Sequence, residues 1–180
     1  MTKYKNRYRA ETTRLRGWDY TTAGWYFVTI VTKNRKPYFG EILDDEMHLS
    51  SIGKILADEW QETALMRPYI SLDEWVIMPN HIHGIIISHN DEDVGTSCRD
   101  VSNEQPRLRA KSLGAIINQI KSVSTKRIQA AGFPDFGWQS GYYDHIIRDR
   151  KDLDRIREYI VGNPFQWEDD EENPANVKRD

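Results

Sequence analysis

Apolar positions along this chain switch between strand-like runs and helix-like spacings. After Gly24, the run Trp25-Tyr26-Phe27-Val28-Thr29-Ile30-Val31-Thr32 is almost wholly β-branched or aromatic, and it ends at Lys33-Asn34-Arg35-Lys36-Pro37. That composition predicts a buried central strand. Residues 38–50 suit a short hairpin or loop. From Ser51, the residues Ile52, Ile55, Leu56, Trp60 and Leu65 recur mostly at steps of three and four, which gathers them near one face of a helix that Pro68 stops. Leu72–Met78 and His81–Ser88 read as two strands around the turn signal Pro79-Asn80, an antiparallel hairpin. A long polar loop, 89–110, follows. Leu113, Ile116, Ile117, Ile120, Val123 and Ile128 mark a second helix, with Lys111, Lys121, Lys126 and Arg127 interspersed and expected to point to solvent. Tyr142–Arg148 is a fourth strand. A last helix carries Leu153, Ile156 and Ile160, starts from a cap at Asp149 or Asp152, and ends at Gly162-Asn163-Pro164.

The first six elements run β-α-β-β-α-β, the ferredoxin-like split unit. The expected class is α+β: an antiparallel sheet with helices on one face, plus a C-terminal helix. Three regions follow: a basic arm over 1–19, a folded domain over 20–167 that contains the 89–110 loop, and an acidic tail over 168–180 expected to be mobile. A chain of 180 residues is long enough to bury a core of its own. No apolar run approaches the roughly 20 residues that cross a bilayer, and the charged start lacks a signal-peptide apolar region. Both point to a cytoplasmic protein. The single cysteine, Cys98, excludes an intramolecular disulfide framework and any multi-cysteine metal site.

Charge changes the picture. The net charge of −3 conceals a segregation. Lys3, Lys5, Arg7, Arg9, Arg14 and Arg16 crowd the start, and Arg107, Arg109, Lys111, Lys121, Lys126 and Arg127 form a second basic stretch. Acidic residues sit elsewhere, at 44–46, 91–93 and 168–172. Such blocks permit nucleic-acid binding by a protein of acidic total charge, and equally describe ordinary solvated faces.

Two small constellations carry candidate chemistry. His81 and His83, two apart on a strand, point to the same side, so both imidazoles can approach one metal ion, with Ile82 facing the other way and Ile85 following the histidines. A pair of histidines with no ligand fits the same pattern. Tyr159 and Asn163, four apart on a helix, share a side. They offer a phenol able to attack phosphorus and an amide oxygen able to bind a hard cation. Read structurally, Tyr159 packs beside Ile156 and Ile160, and Asn163 ends the helix. Tyr142 and Tyr143 are weaker nucleophile candidates on opposite strand faces, and Trp138 reads as a core residue. No Gly-rich phosphate loop is present in the sequence.

Taken in order, Asn80-His81-Ile82-His83-Gly84, then Trp138-Gln139-Ser140-Gly141-Tyr142-Tyr143-Asp144-His145-Ile146-Ile147-Arg148, then Tyr159-Ile160-Val161-Gly162-Asn163-Pro164 resemble the REP-associated tyrosine transposases. These belong to the HUH nuclease superfamily and are domesticated relatives of insertion-sequence transposases. The resemblance covers roughly residues 20–167 and implies a ferredoxin-like fold. It implies His81, His83 and Asn163 as ligands of Mg²⁺ or Mn²⁺ and Tyr159 as the nucleophile. It further implies single-stranded DNA with a hairpin as substrate, cut and rejoined through a 5′-phosphotyrosine, by a monomer or a homodimer. Insertion-sequence relatives carry Gln where Asn163 stands. The basic residues Arg7, Arg9, Arg14, Arg16, Lys121, Lys126 and Arg127 are the expected phosphate contacts. The 89–110 insertion and the acidic tail look specific to this chain. Two rival readings are a non-catalytic single-strand-binding module of the same fold and a metal hydrolase of small phosphoesters.

Overall fold

A computed structural model describes residues 15, 17–89 and 111–176, and the backbone of two short strands near the start. Those two, β1 (Lys3–Tyr4) and β2 (Arg7–Tyr8), pair antiparallel. The remaining elements are β3 (Gly24–Val31), β4 (Gly40–Leu43), β5 (Glu46–Leu49), α1 (Ser51–Leu65), β6 (Ile70–Ile77), β7 (His81–Ser88), α2 (Leu113–Ala130), β8 (Tyr143–Ile147) and α3 (Arg150–Gly162). The side chain of Arg7, and all of Arg9, Arg14, Arg16, Cys98, Arg107 and Arg109, lie outside the described residues, as does nearly all of the 89–110 loop.

Four strands form one antiparallel sheet in the order β6-β7-β3-β8. The β-branched and aromatic run is therefore an inner strand, as its composition requires. With β3, α1, β6, β7, α2 and β8 taken in chain order, the element pattern is the expected β-α-β-β-α-β. The 38–50 segment forms the β4–β5 hairpin. Each helix starts on a side-chain cap: Ser50 accepts from Gly53 N, Ser112 from Ala115 N and Asp149 from Asp152 N.

Strand alternation divides the apolar residues between two sheet faces. Tyr26, Val28, Ile30, Ile82, Ile86 and Ile146 pack with Ile52, Leu56 and Trp60 of α1 and with Ile116, Ile117 and Ile120 of α2. Phe27, Ile85 and Ile147 pack instead with Leu153, Ile156 and Ile160 of α3. Helices thus cover both faces, and the expectation of one covered face holds only for α1 and α2. The physical reason is Phe27, Ile85 and Ile147: they leave a second apolar face that α3 closes. Arg157 of α3 grips Asp73 of edge strand β6 through Nε–Oδ1 at 2.8 Å and Nη2–Oδ2 at 2.5 Å, which sets the helix across the sheet. That guanidinium holds the Asp73 carboxyl below its usual pKa.

Gly84 sits where β7 meets α1. A Cβ there would stand 2.3 Å from Trp60 Cζ2, and Trp60 is fully buried. Gly84→Ala is expected to destabilise the fold by about 1–3 kcal/mol through overpacking. Thermal denaturation checks this, at about 2–4 °C per kcal/mol for a chain of this size.

The acidic stretch from Glu168 was expected to be a mobile tail, and the structure corrects that up to residue 176. Trp167–Asp169 form a 3-10 turn, Asp170 is buried, and Asn80 Nδ2 donates to Glu172 O at 2.7 Å. Arg35 Nε also meets Glu172 Oε2 at 2.7 Å. Runs of carboxylates read as solvated, and the buried partners that hold these are far away in the chain.

Candidate active site

The β3–β7 register sets Thr29 opposite His83 and Val31 opposite His81. Both imidazoles point to the α3 side, with Phe27 stacked on His83 at 5.4 Å between centroids. Hydrogen bonds orient the rings. Asn80 Nδ2 donates to Arg35 O and Glu172 O, so Asn80 Oδ1 is left to accept from His81 Nδ1 at 2.8 Å. A proton on Nδ1 leaves His81 Nε2 with its lone pair. His83 Nδ1 lies 2.9 Å from Thr29 Oγ1, a hydroxyl that can donate or accept and so serves either tautomer. The two Nε2 atoms face each other at 2.9 Å. Burial pushes the His81 pKa down to about 3, and burial and then His81 push His83 well below its ordinary value. Both rings are neutral at pH 7, the form that binds metals.

Tyr159 arrives from α3. Its hydroxyl is 3.2 Å from His83 Nε2, and its ring stands nearly perpendicular to Phe27. Burial, then the negative charge of Asp170, pushes the phenol pKa up to about 12, while a hydrogen bond from Asn163 works the other way. Asn163 is 1% exposed, and its Oδ1 is a buried oxygen with no hydrogen-bond partner among the described residues. Asn163 Nδ2 donates to Asp170 Oδ2 at 3.2 Å, and that oxygen lies 4.0 Å from His81 Nε2. One ligand atom from each of His81, His83 and Asp170 falls within 4.8 Å of the others. Two neutral imidazole nitrogens, a carboxylate and an orphaned amide oxygen fit a first-row divalent cation better than Mg²⁺, which prefers oxygen ligands.

The fold brings the side chains of Tyr159, His81, His83 and Asn163 into one cluster. It adds three residues that the sequence reading missed. Asp170 looked like one carboxylate of an acidic run. Asn80 and Thr29 carried no signal of their own, although Asn80 directly precedes the histidine pair. The basic residues of α2 depart from expectation. Lys121 does not point freely to solvent: Nζ donates to Gln139 O and Gly141 O, each at 2.6 Å, and burial lowers its pKa to about 8. Arg127 pairs with Glu59, with Asp58 and Glu62 nearby at 3.7 and 4.0 Å. Lys126 is exposed. All three lie on α2, which covers the face away from Tyr159. Trp138 is structural: its ring packs against Phe39 and Phe136, and Nε1 donates to Ser124 Oγ at 3.2 Å.

An open cavity of about 750 Å³ adjoins the cluster. Tyr159, His83 and Asp170 lie along it together with Tyr143, His145 and Arg155. Among the described residues, no helix is long and apolar enough to cross a membrane.

No protein-family model matches the chain. An uncharacterized protein of Haemophilus influenzae is 36% identical over 167 residues, spanning 88% of this chain and 89% of that one. A second protein of that organism, named "Putative REP-associated tyrosine transposase", is 24% identical over 150 residues, spanning 82% of this chain and 74% of its own length. A solved structure of a REP-associated tyrosine transposase bound to a REP hairpin superposes with a TM-score of 0.57 at 22% identity, over 93% of this chain and 74% of that chain. The chain belongs to one family with the uncharacterized Haemophilus protein, and its fold is that of the solved REP-associated tyrosine transposase.

Proposed function

We propose that this protein cleaves and rejoins single-stranded DNA beside a hairpin, with Tyr159 as the nucleophile. One observation carries the reading: the Tyr159 hydroxyl lies 3.2 Å from His83 Nε2, itself 2.9 Å from His81 Nε2. Nucleophile and ligand pair meet within one chain, so the site needs no tyrosine from a second copy. The solved neighbour binds a REP hairpin, which supports a hairpin as this chain's partner too.

His81, His83 and Asn163 would hold the cation, and Asp170 is placed to join them. A divalent ion supplies Lewis-acid polarisation of the scissile phosphate. The chain's own residues do the rest. Asn80 and Thr29 keep the imidazoles turned toward one point. Tyr159 Oη gives up its proton to solvent and attacks phosphorus, the new O–P bond forms, the P–O3′ bond breaks, and one proton returns from solvent to the leaving oxygen. The 3′-oxygen leaves as a hydroxyl, and the 5′-phosphate stays on the tyrosine. A second 3′-hydroxyl reverses the step and joins strands, so no nucleotide hydrolysis is required.

The test is incubation of a labelled single-stranded hairpin with Mn²⁺, followed by a denaturing gel. A protein–DNA adduct supports the reading. Tight hairpin binding with no adduct supports the non-catalytic module instead. Turnover of a simple chromogenic phosphodiester without any adduct supports the small-phosphoester hydrolase.

Because Lys121 and Arg127 are engaged inside the fold, the phosphate contacts rest on the N-terminal basic residues Arg7, Arg9, Arg14 and Arg16 and on Lys126. Hairpin affinity is expected to fall as salt rises. Replacing Arg14 and Arg16 by Ala should flatten the plot of log affinity against log salt by about 0.7–0.9 per lost contact. Arg127→Ala should leave that slope unchanged and lower the melting temperature. An affinity indifferent to salt would reject an electrostatic footprint.

A further inference from the structure

The cavity beside Tyr159 has two unlike ends. Asp169, Asp170 and Glu172 line one of them, with His83. The other is built on β8, an edge strand of the sheet. There Tyr143 stands opposite Thr29 and His145 opposite Phe27, so both side chains share the face of the histidine pair. Tyr143 is 48% exposed, an open position for a large ring, and it meets Phe27 at 6.2 Å with the planes 69° apart. Tyr159 meets the same Phe27 at 6.0 Å and 84°. Phe27 therefore carries two tyrosine rings roughly upright beside it, one of them the proposed nucleophile. His145 Nε2 is held by Asp152 Oδ2 at 2.7 Å, and its Nδ1 makes no hydrogen bond among the described residues.

We propose that the Tyr143–His145 end of the cavity is a nucleotide subsite for the unpaired nucleotide next to the scissile phosphate of single-stranded DNA. Its base stacks on Tyr143, and an amino group of the bound nucleotide's base donates a hydrogen bond to His145 Nδ1. The proposal rests on the reading of Tyr159 as nucleophile and goes beyond it by naming what holds the strand in place. Two features favour a nucleotide here. An exposed aromatic ring offers stacking to any base. An imidazole whose Nε2–H is held by a carboxylate offers a fixed acceptor at Nδ1. Tyr143 is not the nucleophile in this reading: the hydroxyl set against the histidine pair is that of Tyr159.

The experiment measures binding of a fluorescent single-stranded hairpin by the full chain in a Tyr159→Phe background, where cleavage cannot interfere. Abasic sites are placed in turn at each nucleotide flanking the cleavage position. Tyr143→Ala should weaken binding about 5- to 100-fold, the effect of losing one stacked base. Tyr143→Phe should bind as the parent does. One abasic position should cost the parent a similar factor and cost the Tyr143→Ala protein almost nothing, since both changes remove the same contact. His145→Ala should weaken binding to the intact strand and cost little on the strand abasic at that one position. Equal affinity for parent and Tyr143→Ala, or losses that simply multiply at every abasic position, would overturn the subsite. Melting temperatures for each variant separate lost stacking from lost folding. Adduct formation by the unmodified protein is scored separately. An adduct without the Tyr143–abasic coupling removes the subsite and keeps the nucleophile; the coupling without an adduct does the reverse.

Discussion

Tyr159→Phe is expected to reduce covalent adduct formation with hairpin DNA to background, a loss of at least about 10³-fold, with hairpin affinity unchanged within about twofold. The substitution removes one oxygen. The ring keeps its edge contacts with Phe27 and His83, at 6.0 and 5.2 Å. Because the side chain is 41% exposed, the lost hydroxyl costs little stability. The comparison that matters is with Tyr142→Phe and Tyr143→Phe, assayed in parallel with labelled DNA and Mn²⁺. Both should retain the adduct. If an adduct persists in the Tyr159 variant and vanishes in one of the others, the assignment moves to that residue. The phenol's pKa of about 12 adds a second expectation. In chelator, raising the pH from 6 to 9 should not restore cleavage, since the hydroxyl keeps its proton throughout that range.

Removing the ligands should have the next largest effect. His83→Ala is expected to abolish Mn²⁺ binding followed by electron paramagnetic resonance or calorimetry, and cleavage with it. Asn80→Leu should act one step removed. It takes away the acceptor that keeps the His81 proton on Nδ1 while leaving both imidazoles in place, and such outer partners are typically worth about 10–100-fold in metal affinity. Metal binding should also appear as stability: at 100 times Kd the ion adds about 2.7 kcal/mol. The wild-type melting temperature should therefore rise with Mn²⁺, while that of His83→Ala should not. Asp170→Asn distinguishes a ligand from a bystander. A ligand role predicts weaker Mn²⁺ binding; an unchanged affinity would leave Asp170 as a hydrogen-bond partner of Asn163 alone. All of these readouts measure the ion directly, apart from any activity.

What was legible in the sequence follows from periodicity. Period two in His81-Ile82-His83-Gly84-Ile85 decided which residues share a face, and the structure has His81, His83 and Ile85 on one side with Ile82 and Ile86 on the other. Spacing of four on α3 placed Tyr159 and Asn163 together for the same local reason. The strand order and the second covered face were not local. They depend on β3 pairing with both β7 and β8 across long stretches of chain, and on Phe27, Ile85 and Ile147 leaving an apolar surface that only α3 covers.

Charged residues were the least legible, because a charge signals solvent until its partner is known. Lys121 and Arg127 read as free cations, and the fold ties one to loop carbonyls and the other to Glu59 of α1. Asp170 read as one acid among several. Its place beside His81 exists because the segment after α3 turns back over the sheet, anchored by Glu172 to Asn80 and Arg35. By itself the sequence determined the elements, the histidine pair and the tyrosine helix, since each depends on neighbours within a few residues. Only the tertiary structure decided how the histidines are oriented, which carboxylate joins them and which cations are spent inside the fold, because those outcomes depend on contacts between residues distant in the chain.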